Sequence, residues 1–185
     1  MGEDKDVLFF NEIELRSIGE VGGKNASLGE MYNQLGSAGI RIPNGFAVTA
    51  AAYRLFRSEN QLEKLLNDLL LSLDKEQYSN LSDVGRACRE LILSAKLPES
   101  VVLEIRLAYQ KLGKLCESNK LGVAVRSSAT SEDLPTASFA GQMESFLNIS
   151  GEEQLLKAIK GCFVSLFTDR AIKYRYDMGF EKLDI

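Results

Sequence analysis

The chain has 185 residues, 45% of them hydrophobic, and its 22 basic and 26 acidic residues leave a net charge of −4. That length suits one domain with subdomains and a substantial core. The weak negative charge, with no extended basic cluster, excludes a field that would draw nucleic acid or an anionic membrane.

There is no histidine, and the three cysteines, Cys88, Cys116 and Cys162, are far apart. A zinc site and a Ser-His or Cys-His nucleophile are therefore excluded within this chain. Each cysteine lies in an apolar-periodic segment and reads as a buried free thiol, which points to a reducing, cytoplasmic compartment. No apolar run approaches the roughly 18 residues of a membrane span. Met1-Gly2-Glu3-Asp4-Lys5-Asp6 has the wrong charge for a secretory signal, and Asp6 breaks the myristoylation pattern. The expectation is a cytoplasmic chain with neither a membrane nor a nucleic-acid partner.

Val7–Phe10 reads as a short buried strand. A turn-like stretch, Gly19 to Gly23, leads to Lys24, and beyond it Leu28, Met31, Tyr32 and Leu35 follow the spacing of an amphipathic helix. Gly36 and Gly39 end that helix. Pro43-Asn44-Gly45 predicts a turn and Phe46–Val48 a strand, with Thr49 placed to cap a helix over Ala50–Phe56. The middle of the chain predicts three helices. Their stripes are Leu62, Leu65, Leu66, Leu69, Leu70 and Leu73; then Val84 to Ala95 after a cap at Asp83; then Val102, Ile105, Tyr109 and Leu112 after Pro98. These stripes read as core. The period then changes: Val123 and Val125 alternate as in a strand ending at Arg126. A loop rich in small and hydroxyl residues runs from Ser127 to Gln142, too long for a tight hairpin. Ser145–Ile149 predicts the returning strand, and a final helical segment carries Leu155 to Leu166 and continues toward Tyr174 and Met178.

Two places could carry chemistry. Gly22-Gly23-Lys24 at a helix start offers close backbone approach, unpaired N–H groups and a full charge, the parts of a small anion cradle. The same residues also suit a plain turn with a solvated lysine, and they are not a Walker A loop. Arg126 at a strand end suits bidentate pairing with phosphate or carboxylate. It equally suits a structural ion pair with Glu132 or Asp133. The loop behind it could cover a phosphate chain with its amides, or be simple surface.

Val21-Gly22-Gly23-Lys24-Asn25-Ala26-Ser27-Leu28-Gly29-Glu30-Met31 resembles the opening of phosphoenolpyruvate synthases (pyruvate, water dikinases), members of the pyruvate phosphate dikinase group. Ile42–Thr49, Val123–Gln142 and Ser165–Ile172 are similar to that family too, in the family's order and across nearly the whole chain. The resemblance implies an α+β fold, the N-terminal lobe of an ATP-grasp domain over residues 1–185. It would have a small, mainly antiparallel sheet, helices rooted at Lys24 and Glu152, and a helical excursion at about 50–115. It implies that Lys24 and Arg126 grip the ATP phosphates, that Gly141 gives a backbone contact in a lid, and that Ser145 gives a side-chain contact. Many relatives have Thr at position 145, Gln at 143 and Ala at 131, where this chain has Ser145, Met143 and Ser131.

In that family the terminal two phosphates of ATP pass to a histidine on a swivelling domain, and pyruvate is phosphorylated in a barrel domain. With no histidine, this chain would be one portion of a larger enzyme and inactive alone. Its partners would be ATP, pyruvate, the second ATP-grasp lobe, the phosphohistidine domain and the barrel, with Mg2+ held by acids outside this portion. The lid, Ser131 to Gln142, would be mobile without nucleotide. Two other readings stand beside this one: the ATP lobe of a rifampicin phosphotransferase, and a nucleotide-sensing module without catalysis. Pyruvate phosphate dikinase itself fits less well, because its loop after the arginine diverges more.

Overall fold

The computed structural model describes residues 5–118, 120–130, 133–134, 137–138 and 144–179, with backbone alone at 37, 133–134 and 137–138. It is a mixed helix and sheet fold in which every strand pairing is antiparallel. β1 (Val7–Phe9) pairs with β2 (Phe46–Val48), and β3 (Gly122–Arg126) with β6 (Ser145–Ser150). The single small sheet expected from the sequence is thus divided into separate two-stranded ladders. The loop after Arg126 also holds one: β4 (Asp133–Leu134) pairs with β5 (Ala137–Ser138), so this stretch does contain a short hairpin. The rest of the lid expectation, including Gly141, lies outside the described residues.

Five helices follow the predicted stripes closely. Thr49 caps α2 (Ala50–Glu59), its hydroxyl accepting from the Ala52 amide at 3.3 Å. α3 (Leu62–Leu71), α4 (Leu81–Ser94) and α5 (Glu99–Leu115) complete the helical excursion. Leu62, Leu66, Leu70 and Leu73 are buried as expected, but Leu65 is exposed, because a ten-residue helix turns only one narrow face inward. Asp83 is not the cap of α4; that helix begins two residues earlier, and Asp83 sits in its first turn beside the positive end of the dipole. The last predicted helix is two. α6 (Glu152–Ser165) stops, and Thr168 caps α7 (Asp169–Asp177) by accepting from the Ala171 amide at 3.2 Å.

Packing follows from these faces. α2, α3, α4, α6 and α7 share a core around Phe56, Leu66, Ile92, Phe167 and Ile172. A second core joins the inward side chains of β1 and β3 to α5 and α6 through Ile105, Leu112 and Ile159. α6 lies against β3 and β6 at close range: a Cβ on Gly161 would stand 2.6 Å from the Phe146 ring. A side chain there would force the Phe146 ring to shift. Cys88 and Cys162 are buried free thiols as expected. Cys116, at the end of α5, is exposed instead, because the helix carries it past the core. Among the described residues no helix is long and apolar enough to cross a membrane.

Candidate phosphate-binding edge

β3 places Arg126. Val123 and Val125 turn toward the core, so Gly122, Ala124 and Arg126 point to the opposite, exposed face. In the ladder Arg126 stands directly across from Ser145, and residues opposed in this way project from the same face. The register holds despite one irregularity. Val123 pairs with Ile149 and Val125 with Phe146, which leaves one extra residue on β6. Asn148, at φ 56°, takes up that extra residue in the left-handed region, which asparagine tolerates well. Arg126 has no ion-pair or hydrogen-bond partner among the described residues.

α1 (Ile18–Leu35) places Lys24. The helix is broken at Gly22, which has φ 78° and ψ 162°, a conformation open essentially to glycine. The predicted turn is therefore one short helical turn followed by this break. A Cβ on Gly22 would meet the Ser128 backbone carbonyl at 2.6 Å, so the glycine is needed for contact as well as conformation. Around the break the chain is tied to the segment that follows β3. The Gly23 amide donates to the Ala129 carbonyl at 3.4 Å, and the Asn25 amide to the Ser128 hydroxyl at 3.3 Å. The Asn25 side-chain amide donates to the Val21 carbonyl at 2.9 Å and so bridges the break.

This corrects one part of the sequence reading. The helix start does not hold out a set of unpaired amides to an anion, since two of them already serve the neighbouring loop. Lys24 is half-buried, and its ammonium donates to the Ser127 carbonyl at 3.4 Å, one residue beyond Arg126. Ser128 was not singled out by the sequence, yet it joins the two candidate segments. The signal that could have found it is the Gly22-Gly23 pair, which implies something pressed closely against that backbone.

The floor of the edge is α6. Cys162 has its thiol pushed up to about 12, first by burial, then by the Glu144 carboxylate, with Lys24 pulling the other way. Lys24 and Glu144, which directly precedes Ser145, are therefore both within electrostatic reach of one α6 side chain. The geometry thus gathers Lys24, Arg126 and Ser145 along one edge from three separate stretches of chain. A cavity of about 580 Å3 opens behind it, with Arg126, Asn25 and Thr130 on its wall beside Val125, Ile159 and Phe163. Among the described residues Lys24 and Ser145 lie off that wall, so the cavity adjoins the charged edge without coinciding with it. Two cations and a hydroxyl suit a phosphate chain; they do not suit a metal ion. No group of three or more His, Cys, Asp or Glu able to hold one occurs among the described residues.

Comparison with known proteins bears on this edge. The family model described as pyruvate phosphate dikinase, AMP/ATP-binding domain, matches residues 18–185. The phosphoenolpyruvate synthase of Neisseria meningitidis is 47% identical over 178 residues, which cover 96% of this chain and 22% of that protein. The phosphoenolpyruvate synthase of Synechocystis is 48% identical over 182 residues, 95% of this chain and 22% of that one. A probable phosphoenolpyruvate synthase of Methanocaldococcus jannaschii is 44% identical over 181 residues, 98% and 15% respectively. The chain thus spans less than a quarter of the length of these relatives.

Proposed function

The chain belongs to the family of the pyruvate phosphate dikinase AMP/ATP-binding domain, and from that premise we propose that it is the ATP-binding portion of a phosphoenolpyruvate synthase, built as the N-terminal lobe of an ATP-grasp fold. One observation carries the placement of the nucleotide: Arg126 and Ser145 face each other across the end of the β3–β6 ladder, and Lys24 reaches the residue next to Arg126. In this reading Lys24 and Arg126 neutralise the phosphate tail of ATP, and the Ser145 hydroxyl donates to a phosphate oxygen. Gly141, which lies outside the described residues, would add the backbone contact that the family resemblance implies.

The charges matter more than the helix end, because the Gly23 and Asn25 amides are already engaged. Magnesium would enter on the nucleotide, held by the phosphates and by acids carried outside this chain. The two terminal phosphates of ATP would leave together for a histidine, and this sequence has none. The phosphoryl carrier, the second lobe and the barrel that binds pyruvate therefore belong to the longer polypeptide. The working compartment would be the cytoplasm. Pyruvate is favoured over an antibiotic acceptor because the relatives above carry the synthase name.

Replacing Lys24 or Arg126 by alanine in the longer enzyme tests this reading. Preorganised charges facing a transferring phosphate are worth roughly 3–4 kcal/mol each, or two to three orders of magnitude in rate. Pyruvate-dependent ATP consumption should fall by that factor with the melting temperature unchanged. An Arg126→Ala enzyme that turns over normally removes the phosphate role, since a surface ion pair would have contributed only about 0–1 kcal/mol to stability.

A further inference from the structure

The break in α1 leaves a helix start that its own sequence does not cap. The backbone is helical from Gly23 onward, so Gly22 stands at the N-cap and Asn25 at the third position of the first turn. An N-cap serine or threonine ordinarily receives the amide of that position on its own side-chain oxygen. Gly22 has no side chain to offer. The oxygen comes instead from another stretch of chain, because the Ser128 hydroxyl accepts from the Asn25 amide at 3.3 Å. A Cβ on Gly22 would stand 2.4 Å from that Ser128 oxygen. The hydroxyl from the β3 exit therefore fills the place that a side chain at the cap would take.

The neighbours of Ser128 extend the contact. The Gly23 amide donates to the Ala129 carbonyl at 3.4 Å, and the Lys24 ammonium to the Ser127 carbonyl at 3.4 Å. The three residues that follow Arg126 thus meet Gly23, Lys24 and Asn25 in turn. Ser127 and Ala129 are buried, whereas Arg126 at the end of β3 is exposed. All three hydrogen bonds are long, so no one of them holds the segments strongly. Only the Ser128 bond has a side-chain acceptor, so it can be removed without altering either cation.

We propose that Ser128 is a positioning residue for the phosphate edge: by capping α1 from the β3 exit, it fixes the Lys24 ammonium relative to the Arg126 guanidinium. This rests on the phosphate role given to both cations above. Ser128 acts through them and makes no contact of its own with the nucleotide. A transferring phosphate is stabilised by charges already in place, and a displacement of about 1 Å can cost roughly a hundredfold in rate. A displaced cation still attracts the bound tail, so the loss falls on turnover more than on ATP binding.

Steady-state kinetics of the longer enzyme test this. Ser128→Ala should lower kcat for pyruvate-dependent ATP consumption by roughly ten- to a hundredfold. KM for ATP should change by less than about threefold, and the melting temperature should fall by only about 2–4 °C, as for a lost helix cap. If Ser128→Ala does not fold, Ser128→Cys, close in size with a weaker acceptor, serves in its place. In an Arg126→Ala background the Ser128 substitution should cost much less than in the parent, because it acts through that arginine. Equal cost in both backgrounds would place Ser128 on the nucleotide itself and overturn the proposal. A rise in KM with kcat unchanged overturns it too, since that marks a ground-state contact. Normal turnover in Ser128→Ala, with Arg126→Ala inactive, overturns this inference and leaves the phosphate reading standing. Normal turnover in Arg126→Ala removes both.

Discussion

The helical excursion from α2 to α5 and the edge formed by α1, β3 and β6 rest on different kinds of contact. In the excursion, helices pack by apolar faces, α2, α3 and α4 against one another and against α6 and α7, and α5 against β1 and α6. Phe56, Leu66, Cys88 and Ile92 meet because consecutive helices turn their apolar faces to one another. At the edge, the contacts that matter join residues about a hundred positions apart: Lys24 to Ser127 and Asn25 to Ser128. One region is held by apolar area, which tolerates small shifts. The other is held by single hydrogen bonds and one glycine backbone pressed against a carbonyl, which do not. Stability should therefore reside mainly in the first and nucleotide handling in the second.

The largest expected effect is on stability. Leu66 is fully buried in the excursion core, away from every candidate site residue. Leu66→Ala should cost about 2–5 kcal/mol by lost transfer energy and the cavity left behind. Denaturant unfolding measures the loss. The part of the protein still folded should keep its apparent affinity for ATP. A changed ATP affinity at temperatures where the variant is fully folded would join the two regions and end the contrast.

Gly22→Ala probes the other region. The backbone conformation costs a non-glycine residue about 1–3 kcal/mol, and the added methyl runs into Ser128. Relief requires the Ser127–Ala129 segment to move, and Arg126 with it. A shift of about 1 Å at a reacting group can cost roughly a hundredfold in rate. Turnover in the longer enzyme should thus fall further than stability does, the reverse of Leu66→Ala. Equal activity in Gly22→Ala and the parent would show that the approach of Gly22 to Ser128 does not position Arg126.

The same contrast explains what could be read from the sequence. Helix periodicity located α2 to α6 because the core face of a helix is written into the spacing of Leu66, Ile92 and Ile105. Strand alternation likewise located β3 and its terminal Arg126. What local pattern could not show was pairing. Alternation predicts a returning strand over Ser145–Ile149 but not its register against β3, which the irregularity at Asn148 shifts by one residue; Lys24, Arg126 and Ser145 are brought together only through resemblance to a family. Local signals also mispredicted where tertiary contact intervened. The amides at the start of the Lys24 helix looked available for an anion, but Ser128 and Ala129 take two of them. The long final helix looked continuous, but Thr168 offered a cap and the chain used it.

The smallest effect lies in the connector between α3 and α4 and depends on pH. Asp74 accepts from the Ser79 hydroxyl at 2.6 Å and from the Glu76 and Gln77 amides, each at 3.1 Å. The Ser79 hydrogen bond first, then the backbone donors, hold its carboxyl below the ordinary value of 3.8. A folded pKa below the unfolded one means that the unfolded chain binds the proton more readily. The carboxylate therefore contributes its full stabilisation above the ordinary range and loses it as pH falls through the lower folded value. Because the group is exposed, water screens it and the contribution is modest. Asp74→Asn keeps an acceptor oxygen but cannot titrate. The urea midpoints of the two proteins should differ by a constant amount from about pH 5 upward and converge below about pH 4. A gap of the same size at pH 3 and pH 7 would mean that the charge of Asp74 has no part in holding the turn. The connector would then be shaped by Asn80 alone, whose side chain accepts from the Asp74 amide at 2.9 Å and donates to the Ser72 carbonyl at 2.8 Å.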